Sequence, residues 1–266
     1  MQNNILTIDS LSLNVCGKSI LHNISLQVKR GELWSIIGPN GAGKSSLLKC
    51  LMRIHDNWTG KVLLSDRNLS GLNQRELARH IAYVPQAGGN HFFAYTAKEF
   101  VQMGRYAWSG PFGTKHSGDT AAIENAMRQT GITSFANRTL DTLSGGERQK
   151  VFIAAALAQE TEILLLDEPT AFLDYRHQND VAEIITKLNQ ESNTTILSVT
   201  HDVNASMLSG GHIFALCGGE VAWTGLACEL VNTDILNQIF GAKFRYLNDP
   251  ITGTHLVVPE RERISA

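Results

Sequence analysis

A glycine-rich turn joins an apolar strand to a helix near residue 40. Glycines allow successive backbone N–H groups to surround phosphate oxygens, and the N-terminus of the following helix adds a partial positive charge. Lys44 can reach the β- and γ-phosphates of a nucleotide, and the Ser45 hydroxyl can bind Mg²⁺. We therefore predict a P-loop whose nucleotide-binding residues are Gly38, Pro39, Asn40, Gly41, Ala42, Gly43, Lys44, Ser45 and Ser46.

Two adjacent carboxylates follow an apolar strand at residues 163–166. In a parallel sheet, Asp167 would emerge beside the P-loop, where it can hold Mg²⁺ directly or through water. Glu168 is then placed to polarise an attacking water molecule. A P-loop with these acids still leaves kinases, GTPases and motor ATPases open.

A second glycine-containing segment precedes another helix, with the residues Ser144, Gly145, Gly146 and Glu147. The spacing of Ser144 and Glu147 is also that of an ordinary capping box. The two glycines, however, expose the backbone of a helix N-terminus, which creates another phosphate-binding surface with a hydroxyl donor. One nucleotide scarcely needs two such surfaces from one molecule. Two chains facing head to tail would instead enclose each nucleotide between the P-loop of one and this segment of the other.

The elements around these motifs predict an α/β fold. Apolar residues alternate or run in strand fashion at residues 5–9 and 24–28, which indicates an N-terminal antiparallel β layer. Helices separate the later strands, so a mainly parallel sheet is expected. Further strands are predicted at residues 33–37, 81–84, 162–167 and 194–200, and another at 60–64 between the P-loop helix and residue 87.

Polar residues predict where several helices begin. Asn73, with Glu76 three residues later, has the spacing of a capping box. Thr96, Asp119 and Ser144 are predicted to open or cap three further helices. These three helices form an α-helical insertion between strands of the core.

We interpret the chain as a single domain, residues 1–266, with three parts. Residues 1–87 and 159–240 form a P-loop NTPase core with the antiparallel layer, and residues 88–158 form the helical subdomain. The core is predicted to contain a helix over about 175–190, a possible strand pair beyond Gly219 and a short helix near 229–240. The tail, 241–266, carries a last strand at 255–259 and is interpreted as a simple cap.

The ordered set of motifs resembles the ATP-binding subunit of ABC transporters. The resemblance covers about residues 3–260 and rests on the P-loop, the Ser-Gly-Gly-Glu segment, the Asp167–Glu168 pair and three further residues, Gln86, Asp174 and His201. It implies the ABC ATPase fold, ATP and Mg²⁺ as cofactors, and ATP hydrolysis coupled to transport.

The resemblance also implies roles for single residues. Gln86 would bind Mg²⁺, with Ser45 and Asp167, and sense the γ-phosphate from a loop that touches the membrane partner. Asp174 would couple the two sites of a homodimer. His201 would contact the γ-phosphate and order the catalytic water, while Glu168 acts as the base.

Three segments are similar to the ATPases of importers for ferric siderophores, heme and cobalamin: residues 96–108, 173–178 and 201–204. This similarity implies uptake through two integral-membrane permease subunits, with an extracytoplasmic substrate-binding protein as an indirect partner. Residues from Gln86 to Arg105 would press on the permease. ATPases of metal-ion or oxyanion importers and of exporters remain alternatives, and a soluble ABC ATPase acting on nucleic acid is a further one.

The chain departs from the family pattern at several positions. Val15 and Cys16 stand where the family usually places an aromatic ring against adenine, just before the glycine at Gly17. Ala155 and Gly211 replace an arginine and an aspartate that many relatives carry. The first departure puts base stacking in question, whereas the other two concern packing.

Composition favours a peripheral subunit. The 266 residues include 23 basic and 25 acidic side chains, so no nucleic-acid partner is expected. The sequence predicts neither a secretory signal nor a membrane span. Four scattered cysteines fit a reduced compartment. With the resemblance, this places the protein at the cytoplasmic face of the membrane.

Overall fold

The computed structural model describes residues 4–86, 95–109, 117–232, 234–250 and 253–260. The strands are β1 (Asn4–Val15), β2 (Lys18–Lys29), β3 (Leu33–Ile37), β4 (Trp58–Leu64), β5 (Arg67–Asn68), β6 (Ile81–Val84), β7 (Ile163–Asp167), β8 (Thr195–Val199), β9 (His212–Cys217), β10 (Glu220–Leu226), β11 (Phe244–Asn248) and β12 (His255–Pro259). The α-helices are α1 (Lys44–Leu51), α2 (Gln74–Leu77), α3 (Ala97–Met103), α4 (Asp119–Gln129), α5 (Gly145–Ala158), α6 (Tyr175–Ser192), α7 (Val203–Ser209) and α8 (Ile235–Phe240).

The central sheet has the strand order β10-β9-β3-β8-β7-β6. All neighbouring pairs from β9 to β6 are parallel, and β10 joins β9 in antiparallel fashion. Every residue of β3, β7 and β8 is buried, as expected for strands covered on both faces. The predicted mainly parallel sheet is therefore confirmed, and its strands direct their carboxyl ends to one edge.

The antiparallel layer has the strand order β2-β1-β4-β5. Its first two strands are longer than the predicted 5–9 and 24–28, because β1 continues past Ser10. That residue has a left-handed backbone (φ 55°), and the pairing register with β2 shifts there. Such bulges break the alternation of a strand without ending it. The β1–β2 turn is formed by Cys16 and Gly17, both with positive φ, as in two-residue hairpins.

Helices α3, α4 and α5 pack around a hydrophobic cluster of their own. Asn73, Thr96 and Ser144 each cap a helix and form the predicted capping boxes. The prediction for Asp119 is wrong. Gly118 occupies the N-cap position of α4, and Asp119 lies in the first turn, where its carboxylate has another partner.

Arg105 is that partner, and it is buried. Its guanidinium donates to Asp119 Oδ1 at 2.8 Å, to Glu160 Oε2 at 2.6 Å and to the Ala158 carbonyl at 2.8 Å. Only 5% of the arginine side chain is exposed, because it fills the space between α4, α5 and the short 3-10 helix Gly104–Ala107. The expectation that Arg105 helps to form a docking surface is therefore wrong. The neighbouring Tyr106 is 81% exposed.

We expect Asp119→Asn to destabilise the fold by about 3 kcal/mol, because it leaves the buried Arg105 charge with one carboxylate fewer. Denaturant unfolding would measure the loss. Glu124→Gln is the matched control, since Glu124 lies on the exposed face of the same helix. A loss below about 1 kcal/mol, the range of surface ion pairs, would contradict a structural role for the pair.

The C-terminal segment packs against α7 and α8. The predicted helix near 229–240 is instead a 3-10 helix, Ala227–Asn232, followed by α8. Strands β11 and β12 form an antiparallel hairpin. Val257 of β12 is buried in a cluster that includes Met207 of α7 and Ile239 of α8. The final strand predicted at 255–259 is confirmed.

Candidate functional site

The P-loop connects the carboxyl end of β3 to the N-terminus of α1. Gly38 (φ 147°) and Gly43 (φ 94°) have backbone conformations that L-residues rarely adopt. A Cβ at Gly38 would overlap the Leu216 carbonyl oxygen, and one at Gly43 would overlap the Leu21 side chain. Atoms of β9 and β2 therefore leave no room for a side chain at these two positions of the turn.

Lys44 extends back over the loop. Its Nζ donates to the carbonyl oxygens of Gly38 at 2.7 Å and Pro39 at 2.9 Å. Burial lowers the pKa of Lys44, and the negative charges of Glu168 and Asp167 partly offset this shift. The ammonium is thus a buried cation at the head of the loop, held by weak neutral acceptors that phosphate oxygens can replace.

Asp167, at the end of β7, accepts two hydroxyl donors. Ser45 Oγ donates to Oδ1 at 2.8 Å, and Tyr83 Oη donates to Oδ2 at 3.1 Å. Burial, and then the negative charge of Asp167, raises the pKa of Tyr83 well above its ordinary value, so the phenol stays protonated. The carboxylate is only 4% exposed. The structure therefore has Asp167 beside the P-loop, as the sequence predicted.

Sequence reasoning missed Tyr83. It lies on β6, which pairs in parallel with β7, and its register partner is Leu165. Residues two apart on a strand share a face, so Tyr83, Leu165 and Asp167 lie on the same side of the sheet. Period-two alternation along two neighbouring strands would have identified it.

Glu168 follows immediately and has a left-handed backbone with φ 49°. For a residue with a side chain this conformation costs on the order of 1 kcal/mol. Its N–H donates to the Val199 carbonyl at 2.9 Å, which holds the strained turn against β8. The side chain is 17% exposed. This turn directs the carboxylate out of the sheet and toward the P-loop edge.

Two predicted site residues meet Glu168 from neighbouring strand ends. Gln86 Nε2 donates to Glu168 Oε2 at 2.7 Å. His201 Nδ1 lies 3.6 Å from the same oxygen, beyond hydrogen-bond distance, and the histidine side chain is 63% exposed. The carboxyl ends of β3, β6, β7 and β8 thus bring Lys44, Ser45, Gln86, Asp167, Glu168 and His201 together.

This cluster fits a nucleotide with Mg²⁺. Hydroxyl, carboxylate and amide oxygens are the hard donors that Mg²⁺ prefers, and Ser45, Asp167 and Gln86 supply one of each. The loop N–H groups and the N-terminus of α1 favour the phosphates. The open space next to Gly41, where an added Cβ would meet nothing within 4 Å, leaves access to the loop.

Ser144, Gly145 and Glu147 lie at the start of α5, on the helical part of the molecule. Ser144 and Glu147 form the capping box, with Glu147 Oε2 accepting from Ser144 N at 2.8 Å. That hydrogen bond, with help from Arg138, holds the pKa of Glu147 below its usual range. Ser144 and Gly145 are exposed. This helix end, for which the sequence predicts nucleotide binding, is therefore accessible from outside the chain.

Gly146 has a different environment. It is buried, and a Cβ there would overlap the ring of His177. His177 Nδ1 lies 2.9 Å from both carboxylate oxygens of Asp174, and its N–H donates to Asp174 Oδ1 at 2.9 Å. These bonds lower the pKa of Asp174. Asp174, which caps α6, is thus linked through His177 to the start of α5, a connection that the sequence did not indicate.

A groove runs along the edge of the site between β6 and the helices α3 and α5. Its volume is about 340 Å³, and Gln86 lies at one end of it. Gly104 brings the 3-10 helix close to α5, since a Cβ there would overlap the Ala155 carbonyl oxygen. The lining residues are Tyr83, Pro85, Gln86, Phe100, Met103, Gly104, Phe152, Ala155, Ala156 and Gln159.

Comparison with known proteins identifies the family. The family model described as "ABC transporter" matches residues 21–171. The ferric enterobactin transport ATP-binding protein of Escherichia coli is 38% identical over 251 residues, which cover 94% of this chain and 92% of that protein. The chain belongs to the ABC transporter ATP-binding proteins.

Two further comparisons agree. The hemin import ATP-binding protein of Rhodococcus jostii is 36% identical over 255 residues, covering 96% of this chain and 86% of that protein. A solved ABC transporter of the metal-chelate type, in an inward-facing conformation, superposes with a TM-score of 0.84 at 26% identity and covers 98% of this chain and 99% of that one. The predicted ABC ATPase fold is confirmed.

This ABC protein is an ATPase whose hydrolysis is coupled to transport. In the ranges that the structure describes, no helix is both long enough and apolar enough to cross a membrane.

Val15 and Cys16 stand where the sequence comparison predicts that the family places an aromatic ring against adenine. Cys16 is exposed at the tip of the β1–β2 hairpin, and Val15 is half-buried. We expect ATP and GTP to bind with affinities within about tenfold of each other, because stacking contributes only about 1 kcal/mol and the phosphates bind alike. Titration of both nucleotides would measure this, and strong preference for ATP would contradict it. Cys16→Tyr should strengthen ATP binding about fivefold, whereas the exposed Cys228→Tyr should not.

Proposed function

We propose that this protein is the ATP-hydrolysing subunit of an importer for an iron chelate such as a ferric siderophore, or for heme or cobalamin. Two observations support the cargo class: the similarity to enterobactin and hemin transport proteins, and the motif segments at 96–108, 173–178 and 201–204. The observation that carries the ATPase role is the joined cluster at the strand ends, in which Ser45 contacts Asp167 and Gln86 contacts Glu168.

In this proposal each residue of the cluster has one task. The P-loop N–H groups and Lys44 bind the β- and γ-phosphates, and Glu168 accepts a proton from the attacking water. His201 donates to a γ-phosphate oxygen and helps to orient that water. Ser45, Gln86 and Asp167 would hold Mg²⁺, which neutralises phosphate charge when bound.

We further propose that the working form is a head-to-tail homodimer. Ser144 and Gly145, at the N-terminus of α5, are exposed, so a second copy can place a nucleotide against them. Phe172 and Tyr175, on either side of Asp174, are 86% and 87% exposed. Two large exposed aromatic side chains at one turn support an interface there, with Asp174 between the two sites.

The groove beside Gln86 is the proposed contact with a membrane permease. It is mainly apolar, and the exposed Met103 of α3 lines it. The exposed Tyr106 lies on the 3-10 helix that begins at Gly104, another lining residue. A partner helix seated there would touch Gln86, which in turn contacts Glu168. Through two such permease subunits the protein would lie at the cytoplasmic face of the membrane, and an extracytoplasmic binding protein would deliver the cargo.

The division of the chain is part of the same proposal. Residues 88–158 form a helical subdomain that carries Ser144, and residues 1–87 and 159–240 form the core that carries the P-loop. The separate hydrophobic cluster of α3, α4 and α5 supports this division. Residues 241–266 form a tail on the core.

Uptake of labelled ferric siderophores, heme and cobalamin tests the proposal. In the native cell, replacement of the wild-type chain by Glu168→Gln should abolish uptake of one cargo. An exposed control, Glu183→Gln on α6, should leave uptake unchanged. Unchanged uptake of all three cargoes would contradict the iron-chelate assignment and favour a metal-ion or oxyanion importer or an exporter. A salt-sensitive gel shift with DNA or RNA would favour the nucleic-acid alternative.

A further inference from the structure

We propose that Asn204 is a positioning residue for His201, and that the C-terminal β11–β12 hairpin holds Asn204 in place. This inference rests on the proposed role of His201 in hydrolysis. It gives residues 244–259 a task beyond capping the fold.

The backbone around His201 is hydrogen-bonded to the sheet on the N-terminal side of the histidine. Thr200 N donates to the Ile36 carbonyl of β3 at 3.1 Å, and Asp202 N donates to Thr200 Oγ1 at 3.0 Å. Beyond Asp202 the chain enters α7. The histidine ring itself is exposed and lies 3.6 Å from Glu168, so the direction of the ring depends on the backbone and hence on where α7 begins.

Helix α7 cannot hold its own position. It has seven residues, fewer than two turns, and helices of this length are unstable without tertiary contacts. Asp202 caps it by accepting from Ala205 N at 2.9 Å, and Met207 packs into the cluster below. Leu208, by contrast, is 60% exposed. Val203, in the first turn, also packs against this cluster. Because apolar packing is non-directional, the orientation of the turn next to His201 depends further on a directional contact.

Asn204 supplies that contact. Its Nδ2 donates to the Val257 carbonyl at 3.0 Å, and its Oδ1 accepts from Val257 N at 2.6 Å. A side-chain amide is the group that reproduces both the donor and the acceptor of a peptide, so Asn204 pairs with β12 as another strand would. Both backbone hydrogen-bonding groups of Val257 therefore bond to Asn204, which lies three residues after His201.

The hairpin that receives Asn204 is anchored independently of α7. Val257 is 5% exposed and belongs to a cluster that includes Leu230 and Ile239, outside α7. Tyr246 Oη donates to the Leu230 carbonyl at 3.2 Å, and Phe244 N donates to Asn237 Oδ1 of α8 at 2.8 Å. The hairpin is thus held to the rest of the core by its own contacts, and through Asn204 it holds the first turn of α7, which follows His201.

Asn204→Asp tests the inference because it keeps the shape and loses the donor. A carboxylate oxygen would face the Val257 carbonyl, and the first turn of α7 should shift. We expect kcat for ATP hydrolysis to fall about tenfold, with ATP affinity within about twofold of wild type, because the P-loop is untouched. Asn204→Ser, which loses both bonds without adding charge, should show the same split if Asn204→Asp does not fold.

Asn237→Ala is the matched control. It removes the oxygen that accepts from Phe244 N, a bond between an asparagine and the same hairpin, but from α8 rather than α7. We expect a similar drop in melting temperature and a kcat near wild type. Equal losses of kcat in the two variants, or no loss in Asn204→Asp and Asn204→Ser, would overturn the inference.

A double-mutant cycle with His201→Ala separates this inference from the proposed function. Asn204→Asp should lower the single-turnover rate no further in the His201→Ala background, because its effect passes through the histidine. A full additional loss there would overturn the inference. If His201→Ala itself hydrolyses ATP at the wild-type rate, the proposed role of His201 fails first. If His201→Ala is impaired and Asn204→Asp is not, only the positioning role fails.

Discussion

Glu168→Gln is expected to bind ATP normally and to hydrolyse it at least about 100-fold more slowly than the wild type. A positioned general base contributes roughly 10²–10⁴-fold, and the amide keeps the size of the side chain but cannot accept the proton. The strained turn at Glu168 is a backbone feature and should persist in the variant. Single-turnover hydrolysis and a nucleotide titration together measure the two effects.

The same variant should accumulate the closed dimer in the presence of Mg-ATP, because hydrolysis is the step that reopens it. Size-exclusion chromatography or light scattering with and without ATP would detect the dimer. Glu183→Gln, an exposed glutamate on α6, should behave as the wild type in both assays. Hydrolysis near the wild-type rate in Glu168→Gln would remove this residue from the role of base.

Lys44→Ala should weaken ATP binding about tenfold or more and reduce hydrolysis further still. Charge-assisted hydrogen bonds to phosphate contribute roughly 1.5–3 kcal/mol, and 1.4 kcal/mol corresponds to a factor of ten. Lys49→Ala on the same helix is the control, since Lys49 lies in the last turn of α1, whereas Lys44 lies at its start and contacts the loop carbonyls. Isothermal titration and a steady-state ATPase assay would measure both variants.

Loss of Lys44 should not destabilise the fold. Burial lowers the pKa of this lysine, so at neutral pH the folded state bears a cost for keeping it charged, and the unfolded state does not. Removing the ammonium relieves that cost, although two hydrogen bonds to loop carbonyls are lost. We expect a melting temperature equal to or above that of the wild type. Wild-type nucleotide affinity in Lys44→Ala would be incompatible with the proposed site.

The local motifs were predictable because their chemistry is encoded within a few residues. The P-loop, the acidic strand end and the caps at Asn73, Thr96 and Ser144 each depend on neighbours in sequence, and the structure has them where expected. The parallel sheet followed from the alternation of helices and strands. Because the strands are parallel, their carboxyl ends lie at one edge of the sheet, and this brings the motifs together.

Long-range partnerships were not predictable in the same way. An aspartate before a helix usually caps it. No residue near Asp119 in sequence indicates that its carboxylate would instead accept a hydrogen bond from Arg105 across a helical interface. The same holds for Gly146, whose missing side chain makes room for His177, 31 positions later. Such contacts depend on how helices pack, and single-sequence patterns do not contain that information.

The hydrogen bond between Gln86 and Glu168 links the proposed base to the groove. Gln86 Nε2 donates to one oxygen of the Glu168 carboxylate, and Gln86 also lines the groove that we propose as the seat of the membrane partner. In the proposed function, a partner that moves Gln86 would change the hydrogen bonding of the base. We therefore expect the subunit without its permease to hydrolyse ATP more slowly than the assembled transporter, which would save ATP when no cargo can be moved.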